Sequence, residues 1–455
     1  MPEHDEFDER LVQRLRAYES RIPDGEIPMT ESQSPRRSRS PLAAGGVIAI
    51  GALAGVLLAV VLLNRPPDAQ LGESPSPSAS GPASPSAVAS VAPSESAEPS
   101  SAAPSASAPA EAYNMITLGN QGSAVVATSG PSGAVILGYD DQGPVAWHSA
   151  DGRTWQPASF SDAPGAEVRP TAVVASDLGY VAILANCTTE CFGGQMIYSA
   201  DGTSWSGTNT AVTGGILAHL AAGGPGFVAI AIDPFAAGSP GVTPMVLTSA
   251  DGQTWESEEP ADLLEANVHA LGSMGDRLVA LGTRNAESGQ LEGGWITSDG
   301  RSWDRFDDET DRAAAFEIAW NGEELLAIGQ GECPGGVGLG DQCPGEAAIA
   351  WVSTDGRTWQ PALADPCCGG LSDVAATPTG WVATVTPGHP SFPDAPPALA
   401  GQVGEAEWLA VEIDAGGDLV LHSVAVHEGL VLFVGEVTQG DVPQPVVIVF
   451  NQPLP

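Results

Sequence analysis

Short, largely apolar runs recur at a regular spacing from residue 113 to the C-terminus. Runs of this length between turn residues are typical of buried β-strands. Each run follows a glycine or another turn residue, and the seven copies are residues 135–138, 181–184, 228–231, 279–282, 326–329, 382–385 and 432–435. The pattern therefore predicts an all-β domain of seven similar units.

A heptapeptide, Ser/Thr-x-Asp-Gly-x-Ser/Thr-Trp, recurs out of phase with these runs. Its five aspartates are spaced 50, 50, 48 and 56 residues apart, and they are Asp151, Asp201, Asp251, Asp299 and Asp355. Asp-Gly favours the positive φ angles of a tight hairpin, so each unit divides into four short strands. Repeats of this length with four strands are typical of propeller blades. We therefore predict a seven-bladed β-propeller of four-stranded blades over residues 113–455.

The heptapeptide resembles the Asp box of BNR-repeat propellers, the family that includes the sialidases, although it is one residue shorter than the usual S-x-D-x-G-x-T-W. The resemblance covers roughly residues 113–455. It implies that the five aspartates are structural, each holding a hairpin at a blade edge. We therefore do not expect the boxes to form a ligand site.

The ends of the domain predict how the ring closes. The last unit has room for three strands, at about 419–426, 430–436 and 444–450, whereas residues 114–118 precede the first unit without a role of their own. We predict that residues 114–118 supply the missing fourth strand, which would hide both sheet edges.

The N-terminal region divides into three segments. Residues 1–41 include a predicted amphipathic helix at 5–20, and residues 64–112 form a Pro/Ser/Ala-rich stalk that we expect to be disordered. The 22 residues 42–63 carry no charge, and as a helix they would rise about 33 Å, enough to cross a membrane. We prefer an uncleaved span to a cleaved signal peptide because the apolar run is long and no cleavage site closely follows it.

Charge and small residues add to this interpretation. Arg36, Arg37 and Arg39 precede the span and Arg65 follows it, so we expect a cytoplasmic N-terminus and an extracellular propeller. Gly51 and Gly55 form a GxxxG that could pair two spans weakly. The 455-residue chain has 16 Lys+Arg against 56 Asp+Glu, an excess of acid that argues against binding nucleic acid.

All six cysteines lie in predicted loops outside the membrane. Local disulfides are the natural interpretation for Cys187 with Cys191 and for Cys333 with Cys343. The adjacent Cys367 and Cys368 form either a vicinal disulfide or two bonds to separate partners. Zinc is the alternative, but the chain has no CxxC pair and few histidines nearby.

The sialidase resemblance invites a search for a catalytic set of three arginines, a tyrosine activated by a glutamate and an aspartic acid. The Arg21-Ile22-Pro23 lookalike of the family's FRIP motif lies before the span, so we interpret it as coincidence. Arg153, Arg301 and Arg357 belong to the boxes, and the domain's tyrosines, Tyr113, Tyr139, Tyr180 and Tyr198, have no evident partner in the sequence. We assign no catalytic residue.

One set of polar residues is predicted to line the central channel of the propeller. Alignment of the first strands on the apolar runs gives one column at one height, which reads Ala124, Ala172, His219, His269, Glu317, Asp373 and either His422 or Ser423. First strands line a propeller's channel, so this column could bind a polar ligand or, through His219, His269, Glu317 and Asp373, a divalent metal. The alternative is a hydrogen-bonded network that fills the channel.

The sequence thus predicts a single-pass bacterial surface protein with a propeller on a stalk. We expect a non-enzymatic binding or scaffold role for a protein or glycan ligand, with no cofactor apart from the metal considered above. The alternatives are a sialidase-like glycoside hydrolase and a sensor that relays ligand binding to residues 1–41.

Overall fold

A computed structural model describes residues 113–162, 164–187, 191–212, 215–233, 241–286, 289–307, 315–331, 347–365, 370–385, 397–401 and 408–451. These residues form 29 β-strands and one short 3-10 helix, Ala261–Leu263. Within those ranges no helix combines the length and the apolarity needed to span a bilayer. The predicted helix at 5–20, span at 42–63 and stalk at 64–112 lie outside the described residues, as do Cys333, Cys343, Cys367 and Cys368.

The strands form seven blades of four antiparallel strands each. Five blades are separate sheets, whereas blades 2 and 3 are joined, with one further strand, in a nine-stranded sheet. The first strands are β2 (Ser123–Gly130), β7 (Val168–Ser176), β11 (Ile216–Gly223), β15 (Ala266–Met274), β19 (Ala315–Trp320), β23 (Leu371–Thr377) and β27 (Asp418–His427). The second strands are β3 (Gly133–Asp140), β8 (Gly179–Cys187), β12 (Gly226–Ile232), β16 (Arg277–Ala286), β20 (Leu325–Gly331), β24 (Gly380–Val385) and β28 (Leu430–Gln439). All seven apolar runs of the sequence lie on second strands.

The outer half of each blade completes the sheet. The third strands are β4 (Gly143–Ser149), β9 (Cys191–Ser199), β13 (Met245–Ser249), β17 (Gly289–Thr297), β21 (Ala347–Ser353), β25 (Ala398–Gly401) and β29 (Val442–Phe450). The fourth strands are β5 (Gln156–Pro157), β10 (Ser204–Val212), β14 (Glu256–Glu258), β18 (Asp304–Asp307), β22 (Gln360–Asp365), β26 (Leu409–Val411) and β1 (Tyr113–Thr117). A further strand, β6 (Ser159–Phe160), pairs in parallel with β10 and links the edges of blades 1 and 2.

The blades close into a ring around their first strands. In chain order each first strand contacts the next, and β27 of blade 7 contacts β2 of blade 1. Blade 7 takes its fourth strand from the start of the domain, because β1 pairs antiparallel with β29, Tyr113 opposite Phe450 and Thr117 opposite Val446. The predicted closure is therefore confirmed, and the domain is a seven-bladed β-propeller.

The core lies between the blades. Side chains alternate along a strand, so each second strand sends apolar residues to both of its neighbours. Ile230 of β12 packs with Val268 and Trp295 of blade 4, whereas Ala229 packs with Ile183 of blade 2. Seven such clusters occur among the described residues, one at each blade boundary.

The heptapeptides form the hairpins between third and fourth strands of blades 1–5. In blade 4, Asp299 Oδ1 accepts hydrogen bonds from the backbone N–H groups of Arg301 and Ser302, both at 2.8 Å, and from Thr297 Oγ1 at 3.1 Å. Trp303 Nε1 donates to Gly300 O at 3.1 Å. Gly300 has φ +72°, and a Cβ there would meet Val228 of the preceding blade at 2.9 Å. Each box therefore ties a hairpin and docks it on the blade before.

The two ends of the ring differ. The turns between first and second strands lie at the same end as the boxes, as shown by His427 Nε2, which lies 3.3 Å from Ala150 O. We name this end the box face. First strands begin and second strands end at the opposite end, which we name the mouth face.

Candidate functional site

Every first strand carries a β-bulge, and the bulges define the residues that line the channel. The residue after the bulge stands at the same height in all seven blades, and these residues are Val126, Ala172, His219, Ala270, Glu317, Asp373 and Ser423. A bulge inserts one unpaired residue and redirects the side chains beside it. The same structural position is therefore repeated around the inner wall of the ring, and it carries a different side chain in most blades.

This register corrects part of the predicted column. Ala172, His219, Glu317 and Asp373 occupy the common position, and Ser423 occupies it in blade 7, but His269 and His422 are the bulged residues themselves. Ala124 lies before the bulge of blade 1. The alignment on the apolar runs could not separate neighbouring positions, because the inserted residue breaks the alternation that such alignments assume.

The two histidines of the predicted metal set are bound to protein groups. His219 Nε2 donates to Val268 O of the next blade at 3.0 Å, and His269 Nε2 accepts from Asn267 Nδ2 at 3.0 Å. Burial lowers the pKa of both imidazoles to about 4, and the proximity of His219 lowers that of His269 further. Both rings are therefore neutral at pH 7.

The predicted metal ligands do not come together. Over the described part of the chain, no three His, Cys, Asp or Glu side chains are close enough to hold a metal ion. His219 and His269 belong to blades 3 and 4, at different positions relative to the bulge, whereas Glu317 and Asp373 belong to blades 5 and 6. The structure thus separates two imidazoles from two carboxyls, and we do not pursue a metal site.

The two carboxyls, Glu317 and Asp373, lie on neighbouring blades at the same height, and the charge of Asp373 acts on Glu317. Asp373 accepts hydrogen bonds from the backbone N–H of Val374 at 2.7 Å and from that of Val424, in the next blade, at 2.9 Å. Glu317 accepts one from Ile318 N at 3.3 Å. Burial raises the pKa of both groups, and the charge of Asp373 raises that of Glu317 further. At neutral pH Glu317 therefore holds a proton more readily than an ordinary glutamate.

A cavity of about 320 Å³ opens along this wall. Its lining includes apolar residues of blades 1–3, such as Val126, Val173 and Leu217, together with Glu317 and Asp373. Its polar lining comes from five blades and is formed by Tyr139, Arg169, Thr171, Glu317, Ser372, Asp373, His422 and Ser423. An apolar cavity with a few convergent polar groups is the usual form of a ligand site.

Arg169 and Tyr139 stand together near the mouth face. The Arg169 guanidinium lies 4.3 Å from the centre of the Tyr139 ring, a cation–π contact. Its Nη1 donates to the carbonyls of Ala166 and Val168, so the side chain is held in place. Burial raises the pKa of Tyr139, and the charge of Glu436 adds to that rise.

Glu436 and His422 form the adjacent part of the wall. His422 Nε2 lies 3.9 Å from Glu436 Oε2, and both side chains are largely buried. Burial works to raise the pKa of Glu436, but the neighbouring His422 and Ser123 outweigh burial and hold that pKa below its ordinary value. A carboxylate thus faces an imidazole beside the cavity.

Sequence reasoning missed Arg169 and Thr171 of β7, and it also missed Tyr139 and Glu436. A usable signal was present, because Tyr139 directly follows the apolar run 135–138 and Glu436 directly follows the run 432–435. Both residues lie on second strands. Each directly follows the glycine that pairs with the last first-strand residue before the bulge. In blades 1 and 7 the residue after the apolar run therefore lies beside the mouth of the channel.

The arginines do not form a triad in the cavity. Arg169 is the one arginine in its lining within the described ranges. Arg301 pairs with Glu256, and Arg357 pairs with Asp304, so both of these box arginines contact the fourth strand of the preceding blade. These two arginines therefore form ion pairs at the outer edge of the ring and not in the central cavity.

Cys187 lines the cavity at the end of β8. It is disulfide-bonded, and its cross-strand neighbour is Cys191, the first residue of β9. The predicted pairing of these two cysteines therefore agrees with the register of the two strands, and it stays a prediction.

Comparisons with known proteins find solved structures of similar fold but no family for this chain. No protein-family model matches the chain, and no curated protein sequence matches it. Three solved structures illustrate the likeness. "YCF48 bound to D1 peptide" is 14% identical with a TM-score of 0.47, over 76% of this chain and 98% of that one. Trypanosoma rangeli sialidase with sialic acid is 11% identical with a TM-score of 0.40, over 76% and 59%. Pyrococcus horikoshii acylaminoacyl peptidase is 8% identical with a TM-score of 0.45, over 72% and 51%.

Proposed function

We propose that the propeller is a binding module that takes a protein or glycan ligand at the mouth face. The observation that carries this proposal is the cavity of about 320 Å³ with Arg169 held at its mouth. Groups fixed by other contacts lose little freedom when a ligand arrives, which favours binding. Arg169, Glu317 and Asp373 are fixed in this way by their backbone partners.

We further propose that residues 42–63 anchor this module in a membrane, with residues 1–41 in the cytoplasm and the propeller outside. The uncharged run and the arginines before it support this orientation. Fractionation of cells that express the full chain, or the chain without residues 42–63, tests the anchor. Removal of the span should move the protein from the membrane to the soluble fraction.

A binding screen with a matched pair of variants tests the proposed site. Glycan arrays and peptide arrays are probed with residues 113–455, and each hit is measured by calorimetry against Arg169→Ala and Arg277→Ala. Arg277 is exposed at the start of β16, directly after the turn on the box face, so its loss should leave affinity unchanged. Arg169→Ala should weaken binding at least tenfold, and equal affinities for the two variants would place the site elsewhere.

A glycoside hydrolase of the sialidase type is the second candidate. The proximity of Glu436 to Tyr139 favours it, because a glutamate beside a tyrosine is the pairing that the sialidase resemblance implies. Hydrolysis of an aryl sialoside by the wild type, lost in Tyr139→Phe and kept in Tyr198→Phe, would support this function. Tyr198 donates to Leu178 O, in a first-to-second-strand turn on the box face, and serves as the control.

A further inference from the structure

The cavity has opposite charges on opposite walls. Arg169 belongs to blade 2, whereas Glu317 and Asp373 belong to blades 5 and 6. In a ring of seven blades in chain order, blade 2 stands across the channel from the boundary between blades 5 and 6. All three side chains line the same cavity. A ligand inside it therefore meets a cation on one side and a carboxyl pair on the other.

The carboxyl pair has no cation of its own among the described residues. Neither Glu317 nor Asp373 forms an ion pair there, and the donors recorded for them are backbone N–H groups and the Ser423 hydroxyl. Two neighbouring carboxyls in a poorly solvated channel oppose ionisation. An ammonium group delivered by a ligand would supply the missing counter-charge and add hydrogen-bond donors.

The opposite wall is suited to a carboxylate. Arg169 uses Nη1 for backbone carbonyls and its face for the Tyr139 ring, and no described acid pairs with it. This arrangement leaves the Nε–Nη2 edge to bind a carboxylate side-on. Thr171, two residues further along β7, also lines the cavity. Its Oγ1 is fully buried and has no hydrogen-bond partner within the described part of the chain.

The register gives the distance between the two walls along the channel. Ala172 stands at the height of Asp373 and pairs with Ile183, whereas Arg169 pairs with Ala185, two residues further along β8. Two residues of strand span roughly 7 Å. Because the walls also stand across the channel from each other, this offset is the least separation that a ligand must bridge, and an extended dipeptide is the shortest peptide of that length. A free amino acid would be too short to reach both walls.

We propose that the cavity binds a short free peptide of about two residues, with its ammonium at Glu317 and Asp373 and its carboxylate at Arg169 and Thr171. This inference rests on the proposed binding function and specifies its ligand as a zwitterion. The apolar residues between the walls, including Val173 and Leu217, would contact the peptide's side chains.

A dipeptide panel with end-blocked analogues tests the proposal. Gly-Xaa and Xaa-Gly dipeptides are screened by thermal shift on residues 113–455, and the strongest is measured by calorimetry with its N-acetyl and C-terminal amide forms. Each block should weaken binding to wild type at least tenfold. Arg169→Ala should bind the free dipeptide and its amide equally, and Asp373→Asn should bind the free dipeptide and its N-acetyl form equally. Arg277→Ala should behave as wild type.

The results separate this inference from the function on which it rests. If no dipeptide binds while a glycan or longer peptide still binds in an Arg169-dependent way, the binding module stands and the zwitterion is wrong. If end-blocked and free dipeptides bind wild type equally, the charged walls do not recognise the termini and the proposal fails. If nothing binds in either screen, both proposals fail together.

Discussion

The aspartate of each heptapeptide replaces backbone partners that a tight hairpin cannot supply. Asp151 accepts from the N–H groups of Arg153 and Thr154 and from the Ser149 hydroxyl. The backbone donors lower its pKa to about 2, because hydrogen bonds to a carboxylate favour the charged form. A carboxyl whose folded pKa is depressed stabilises the fold above its ordinary pKa. That contribution is lost as pH falls from about 4 to about 2.

Asp299→Ala should destabilise the ring by about 1–2 kcal/mol, the cost typical of removing a side chain that caps backbone N–H groups. Asp299→Asn keeps an acceptor at Oδ1 and should lose less than half as much. Urea unfolding of residues 113–455 measures both. Asp141→Ala, at an exposed aspartate in the β3–β4 turn, is the control, and an equal loss there would contradict the capping role.

Glu317→Gln should remove a pH dependence of stability. Because the pKa of Glu317 rises from 4.5 to about 8 in the fold, the unfolded chain ionises first and stability falls as pH rises through that window. The variant should therefore melt a few degrees above wild type at pH 9, relative to their difference at pH 5. Differential scanning calorimetry measures this, with Glu323→Gln, at an exposed turn, as the control. Parallel pH curves for Glu317→Gln and wild type would refute the shift.

For single residues, the sequence predicted which types of side chain line the channel better than it predicted their exact positions. The alignment of first strands assigns Glu317 and Asp373 to the channel, but it puts His269 at the position that Ala270 occupies, because the bulge of β15 inserts a residue. Glycines on the second strands, opposite the residue before the bulge, give a partial sequence signal for it. At Gly138, Gly282 and Gly435 a Cβ would lie about 2 Å from a first-strand carbonyl oxygen, at 2.0, 2.1 and 1.9 Å.

Closure of the ring depends on one short strand. Besides its ladder with β29, Tyr113 of β1 contacts the connection between blades 6 and 7: its hydroxyl accepts from Asp414 N at 2.8 Å and donates to Asp414 O at 3.2 Å. Its ring packs 5.2 Å from that of Phe450. The element therefore covers the edge of β29, and unpaired edges are sites of association.

Truncation before or after β1 should have opposite results. A chain that starts at residue 113 should melt with the same midpoint as one that starts at residue 100, whereas a chain that starts at residue 119 loses the five ladder pairs of β1. The shorter chain should melt at least 10 °C lower or self-associate through β29. Calorimetry and light scattering distinguish these results, and an unchanged monomer starting at 119 would show that β1 does not hold the ring closed.

The elements were predictable because periodicity and turn chemistry agree. The apolar runs lie on β3, β8, β12, β16, β20, β24 and β28, and each box forms a hairpin between third and fourth strands. The contacts between Tyr139, Arg169 and Glu436 were not predictable, since they join blades 1, 2 and 7 and depend on how the ring closes. The sequence repeat predicts the strands of each blade, whereas the candidate site is formed by side chains that differ from one blade to the next.

The whole ring carries a large negative charge. Residues 113–455 contain 8 arginines and 42 acids, a formal charge of -34, and the exposed pairs of Arg301 with Glu256 and Arg357 with Asp304 offset only a small part of it. Self-repulsion of this kind opposes the compact state and is screened by salt. Surface ion pairs of this type contribute little each.

Sodium chloride should therefore stabilise the propeller. The thermal midpoint should rise by a few degrees between 10 and 150 mM salt, where the Debye length shrinks from about 30 to about 8 Å. The rise should then flatten. Calorimetry at constant pH measures this. A midpoint that falls with salt would mean that attractive pairs outweigh the net repulsion.

The strand that closes the ring is also the strand by which the domain joins residues 1–112. A pull transmitted along the chain would reach Tyr113 first, at the end of the β1–β29 ladder, where Phe450 is its partner. Load applied at that end would detach the ladder one residue pair at a time, starting from Tyr113. If residues 42–63 anchor the protein as proposed, tension on residues 64–112 would thus act directly on the β1–β29 ladder that completes blade 7.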